Sequence, residues 1–367
     1  MSIAQIDDRS LFEEPALEDP TFAKNDESDW DWLQRSTVPR AIDARRFLNA
    51  NLLRLPPDYA SSLYARLRHS WRSAFFEMIV ARTLQVIGAD LEVETSPDGV
   101  HKPDFRATFP GGSIIVEATA PMLRPDVQEE MGQKGALVSI IERLVPSGWG
   151  ILVHRLPSLG PTDSKKEFRR VAAKLLAVPP PQDDQRLRVS GIVGEEVIDM
   201  TLIPKEDGAR TILGGPAHGF WGNSVDSIKK SVRRKRQQVR DSGCPVVLAV
   251  KGSEVFSSIN DFEQALFGCE REYVDPARRL CRAKFVTDGV LNPRGNGRPT
   301  YAGVLAYLDV GYYCSHNPVF FLHPRFKGEL PNEFRQFEWR TMESGSGISV
   351  LPSKDGRLLQ RLEPVRI

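Results

Sequence analysis

Between residues 59 and 87 the apolar positions recur at steps of three and four, with Leu63, Leu67, Trp71, Phe75 and Met78 forming one stripe. That period is helical, and Gly88 stands where a helix commonly stops. The pattern then shortens. Residues 91–95 predict a strand, and Pro97, Asp98 and Gly99 a turn. Residues 104–109 predict a second strand, and Pro110, Gly111 and Gly112 a tight turn. Residues 113–118 contain the β-branched run Ile114, Ile115 and Val116, suited to a buried strand. The last two strands are expected to pair as a hairpin.

Further along, 127–144 and 164–176 read as helices, and 150–154, 187–193 and 196–203 as strands. Gly214, Gly215, Gly219 and Gly222 mark a loop. At 224–240 a basic helix carries Val225, Ile228, Val232, Lys235 and Val239 on one stripe. It leads into the apolar strand PVVLAV at 245–250, an αβ unit of a mixed sheet. Beyond it come a helix to about 267 and strands near 303–311 and 319–322. The last forty-odd residues read as polar and irregular. Residues 1–35 are acidic, contain Pro15 and Pro20 and show no period, so a disordered or loosely attached tail is expected. Trp30 and Trp32 are placed to dock it.

Composition narrows the classes. With 41% hydrophobic and 26% charged residues the chain reads as globular, and no run is apolar for long enough to cross a bilayer. The N-terminus lacks the basic start and apolar run of a secretion signal, so the expected location is cytoplasmic. The four cysteines, Cys244, Cys269, Cys281 and Cys314, form no CxxC pair, which argues against structural zinc. The net charge of +1 gives no global pull toward polyanions. The stretch from Lys229 to Arg240 is nevertheless strongly basic, and one such face suffices to bind nucleic acid.

The chemistry is concentrated in Lys102-Pro103-Asp104-Phe105 and Ile114-Ile115-Val116-Glu117-Ala118-Thr119. A hairpin sets an acid at the start of one strand beside an acid closing the next. Burial of an unpartnered carboxylate is costly, and a cation would supply the partner. Carboxylate oxygens suit Mg²⁺ or Mn²⁺. Glu77, inside the apolar run Phe75-Phe76-Glu77-Met78-Ile79-Val80, is a third candidate; it completes the metal shell or pairs with an arginine such as Arg72 or Arg82. The plainer alternatives are a turn cap at Asp104, a strand-end pairing of Glu117 with an arginine and a solvated basic helix whose lysine stem at 235 lies along apolar surface.

A helix with Glu, a hairpin with PD and ExT, a basic helix and an apolar strand together resemble the PD-(D/E)XK nuclease superfamily. The likeness covers roughly 70–252. It implies an α/β, restriction-endonuclease-like mixed sheet flanked by helices. On this reading 1–35 is a tail, 36–256 the core with an insertion at about 120–222, and 257–367 a C-terminal α+β extension. It further implies a metal-dependent endonuclease hydrolysing phosphodiester bonds, with Asp104 and Glu117 as ligands of Mg²⁺ or Mn²⁺ and Glu77 supporting them. Thr119 stands where the family usually has lysine. Lys235, reaching in from the following helix, is the matching charge. Lys229, Lys230, Arg233, Arg234, Arg236 and Gln238 would then contact nucleic acid, DNA in preference to RNA. The resemblance leaves room for a homodimer or a partner protein in bacterial defence, and for a catalytically inactive binding subunit.

Overall fold

The structure is a computed structural model. It describes residues 27–93, 103–120, 125–158, 163–180, 185–205, 212–214, 224–236, 243–252, 257–268, 270–275, 280–285, 288–291, 301–308, 317–342, 348–354 and 358–362, with single positions 12, 19, 299 and 310. The predicted turn at 97–99, most of the glycine loop and Gln238 lie outside the described residues.

The chain opens with helices α1 (Asp29–Arg35), α2 (Pro39–Leu52), α3 (Pro57–Leu67) and α4 (Trp71–Val86). Strands β1 (Asp90–Val93), β2 (Phe105–Phe109) and β3 (Gly112–Thr119) follow. Next come α5 (Pro125–Leu144), β4 (Trp149–Arg155), α6 (Asp163–Leu175), β5 (Leu187–Val193), β6 (Glu196–Pro204) and β7 (Ile212–Gly214). The rest comprises α7 (Ser224–Arg236), β8 (Val246–Lys251), α8 (Ile259–Phe267), β9 (Glu270–Asp275), β10 (Leu280–Phe285), β11 (Gly303–Tyr307), β12 (Val319–Leu322), β13 (Glu338–Met342) and β14 (Ile348–Leu351). The fold class is mixed α/β.

The chain divides into two compact units, one of 1–14, 42–122 and 222–367, the other of 15–41 and 123–221. The first is built on an eight-stranded sheet in the order β1-β2-β3-β8-β11-β12-β13-β14. β3, β8 and β11 run parallel, while β1, β2 and β3 meander antiparallel. Ile115 of β3, Ile228 and Val232 of α7, Val246, Leu248 and Val250 of β8, and Phe262 and Leu266 of α8 form one core cluster with Val304 and Ala306 of β11. Tyr307, the next residue along β11, therefore faces the other way. There Phe76 of α4 meets it edge-on, ring centroids 5.2 Å apart. Thus α7 and α8 cover one face of the sheet and α4 the other.

Three expectations need correction in this unit. The helix expected over 59–87 is two helices, broken at 68–70. Arg68, His69 and Ser70 are all exposed, so no apolar contact holds the chain helical there. Ser70 leaves the helical region (φ −137°, ψ 48°), and both its N–H and that of His69 turn back to the Arg66 carbonyl. Second, residues 257–367 are no extension to the core: β11 to β14 are four of the eight strands of its sheet. Third, the described part of the final forty-odd residues holds two strands, β13 and β14. Every residue of β13 is half-buried, so the strand shows no alternation of apolar and polar positions to read. The β9–β10 ribbon was likewise unforeseen.

The second unit holds a four-stranded sheet, β5-β6-β4-β7, that falls on the expected insertion. Leu137 and Ile141 of α5 and Phe168 and Ala172 of α6 pack with Ile151, Val153, Ile198, Met200 and Leu202 as a core of its own. Gly191 lets α6 lie close, since a Cβ there would stand 3.1 Å from Leu175 and Val171 side-chain carbons. The tail is ordered where described. Ser28 caps α1 by accepting from the Asp31 N–H, Trp30 and Trp32 are buried, and Arg35 binds Asp19 and Glu27, each at 2.6 Å. In the first unit, Phe12 is buried and exchanges hydrogen bonds with Asn49 at 3.0 and 3.2 Å. These apolar anchors within an acidic stretch offset the ordering cost that composition alone suggested was unmet.

Candidate active site

The hairpin register sets up the site. Phe105 opposes Val116, which puts Asp104, just ahead of β2, next to Glu117. The turn between the strands is Pro110-Gly111, and Gly112 takes φ 135°, a conformation L side chains rarely adopt. One Asp104 oxygen, Oδ2, accepts the Ala118 backbone N–H at 2.7 Å, which locks the acid against β3.

Glu117 and Thr119 follow Ile115 at two-residue steps, so all three share the face covered by α7. Along α7, Ile228 and Val232 are fully buried, and Lys235 comes three residues later on the same stripe. Its Nζ donates to Glu117 Oε2 at 2.7 Å and to Asp104 Oδ2 at 3.3 Å. The side chains are 6% exposed for Glu117, 16% for Lys235 and 26% for Asp104, so this trio is largely shut from water.

The electrostatics follow from that burial. Desolvation, joined by the charge of Asp104, pushes the Glu117 carboxyl above the ordinary glutamate range, and Lys235 only partly opposes it. Burial works against the charged Lys235 amine, but the two carboxylates outweigh it and its pKa is raised.

Glu77 takes the arginine-pair alternative, with a different arginine from the two named. Arg66 of α3 grips both its oxygens, Nη1 to Oε1 at 3.0 Å and Nη2 to Oε2 at 2.6 Å. Desolvation raises its pKa, Arg66 opposes this, and the charges of Asp104 and Lys235 reach it more weakly. Its partner is thus neither Arg72, which is exposed, nor Arg82, which bonds Asn51 and Gln85. Helical spacing could not reveal Arg66, because the break at 68–70 folds α3 back along α4. Arg66→Met is expected to cost about 1–2 kcal/mol, reduced from the value for a fully buried pair because Arg66 is one-third exposed. An acid whose folded pKa is raised stabilises below its unfolded pKa and loses that contribution as pH rises through the folded value. The deficit in urea unfolding should therefore grow between pH 5 and pH 8; a deficit independent of pH would dissociate Glu77 from Arg66.

The basic residues separate. Lys229 is paired with Asp288 at 2.9 Å, so its charge is committed within the protein. Lys230, Arg233 and Arg234 are exposed on α7, and Arg234 Nη2 donates to Thr119 Oγ1 at 3.3 Å. Arg236 closes α7, its side chain outside the described set, as is Gln238 entirely.

Among the described residues no three His, Cys, Asp or Glu side chains are grouped to hold a metal ion. The expected set of three acids is instead two acids sharing a lysine, with Glu77 bound to arginine. Two oxygen-donor carboxylates beside a still uncompensated negative charge fit a hard divalent cation that keeps most of its water ligands. Among the described residues no helix is long and apolar enough to cross a membrane. No protein-family model, curated protein or solved structure matches the chain.

Proposed function

We propose that the first unit is a PD-(D/E)XK-type, restriction-endonuclease-like domain that hydrolyses phosphodiester bonds of nucleic acid, DNA in preference to RNA, with Mg²⁺ or Mn²⁺ held by Asp104 and Glu117. The observation that carries this is the convergence of both acids on the amine of Lys235. When bound, such a cation supplies acidification of water and charge neutralisation at the phosphate. Asp104, fixed by the Ala118 N–H, and Glu117, fixed in β3, orient that charge. Lys235 adds a permanent positive charge within reach of the same point. Glu77, its charge compensated by Arg66, stands near these groups without ligating the cation. Lys230 and Arg233 offer phosphate contacts whose strength falls with salt. The setting this reading suggests is the cytoplasm, in bacterial defence or DNA processing, alone, as a homodimer or with a partner protein.

A second reading has one observation in its favour. Lys235 already engages both acids and offsets one of their two charges, and Thr119 occupies the usual lysine position, which suits a nucleic-acid- or protein-binding subunit without catalysis.

The test is incubation with plasmid, single-stranded DNA and RNA, with Mg²⁺, Mn²⁺ or chelator, alongside calorimetric Mn²⁺ binding. Cation-dependent cutting abolished by chelator supports hydrolysis. Salt-sensitive binding that ignores the cation, with every substrate intact, supports the binding subunit and removes the enzyme.

A further inference from the structure

We infer that Arg234, steadied by the hydroxyl of Thr119, is the group that contacts the substrate phosphate adjoining Asp104 and Glu117; this rests on the hydrolytic reading above and names the residue that meets its anion.

Two consecutive residues of α7 reach two alternate residues of β3: Lys235 meets Glu117 and Arg234 meets Thr119. Positions 117 and 119 lie on one face about 7 Å apart along the strand. The two cations are spent differently. Lys235 is bound by two carboxylates and is largely buried. Arg234 is exposed, and its described hydrogen-bond partner is a neutral hydroxyl. That bond takes one of the two Nη2 hydrogens, so one forked edge of the guanidinium, Nη1 with Nη2 or Nε with Nη2, stays open to grip a phosphate. Lys230 and Arg233, on the same helix, are exposed. Thr119 is buried at 4% exposure, so its oxygen is a fixed anchor rather than a mobile surface group. Thr119 is then a positioning residue: it carries no charge, and it fixes the direction of one that does.

The experiment measures anisotropy of a short fluorescein-labelled DNA duplex with the full chain in chelator, so that no cutting intervenes, then steady-state cleavage in Mn²⁺. Arg234→Ala should weaken binding about fivefold and lower the salt slope by about one. Thr119→Val should weaken it in the same direction, and Thr119→Ser should restore it. Thr119→Val combined with Arg234→Ala should bind no worse than Arg234→Ala alone, since both remove one contact. In cleavage, Thr119→Val should lower kcat/KM together with binding, and Thr119→Ser should recover both. Additive effects of the two substitutions, or Arg234→Ala binding as tightly as the unaltered chain, would overturn the inference. A chain that binds as described but never cuts refutes the hydrolytic reading while leaving the Arg234–Thr119 pairing supported. A chain that binds no duplex at low salt overturns both.

Discussion

Glu117→Gln should reduce Mn²⁺-dependent cleavage by about 10³-fold or more, the scale seen when one charge-stabilising group is removed from an active site. The substitution is nearly isosteric. Its amide oxygen can still accept from Lys235, and Asp104 remains as the counter-charge to that amine. What disappears is one of the two negative charges able to hold a divalent cation. Calorimetric Mn²⁺ binding should weaken in parallel. Stability separates this from a folding defect. Because the Glu117 carboxyl is raised, its contribution to folding is present below its unfolded pKa and is lost as pH rises through the folded value. Glutamine carries no such penalty, so the variant should be at least as stable as the unaltered chain at pH 8 without metal. Cleavage within tenfold of the unaltered chain, at equal Mn²⁺, would remove Glu117 from the chemistry.

What the sequence makes legible is governed by local signals. The β2–β3 hairpin follows from Pro110-Gly111-Gly112 between apolar runs, and its register is enough to set Asp104 beside Glu117. The inward aim of Lys235 follows from the stripe through Ile228 and Val232. Both are short-range consequences of periodicity two and 3.6. Arg66 was invisible because its meeting with Glu77 depends on a helix break among three exposed polar residues. The contribution of β11 to β14 to the main sheet depends on pairings with β8 and one another that no local pattern encodes. The docking of Phe12 against Asn49 is a single contact in an acidic stretch, too sparse to register as a period. The link between Arg234 and Thr119 needs α7 to cross β3 at one particular height, which only packing determines.

Lys235→Met should be the most destabilising of these changes, about 3 kcal/mol in urea unfolding at pH 8. Removing one partner from a buried ion pair leaves the other charge desolvated, a loss of about 3–5 kcal/mol, and here two carboxylates are left facing each other. The low end is appropriate because Asp104 is one-quarter exposed. The pH dependence follows from the same geometry. Lys235 lowers the Glu117 pKa in the unaltered chain, so its removal raises that carboxyl further. An acid with a raised folded pKa favours folding only while protonated. The variant should therefore approach the unaltered chain near pH 5 and fall behind as pH rises through the new value. Millimolar Mn²⁺ supplies the missing positive charge, and a cation at a hundred times its Kd returns about 2.7 kcal/mol. The unaltered chain should gain less, since there the ion competes with an amine already bound to both acids. Equal stability of the two proteins at pH 8, or a loss that Mn²⁺ leaves untouched, would mean that Asp104 and Glu117 do not form a shared cation site.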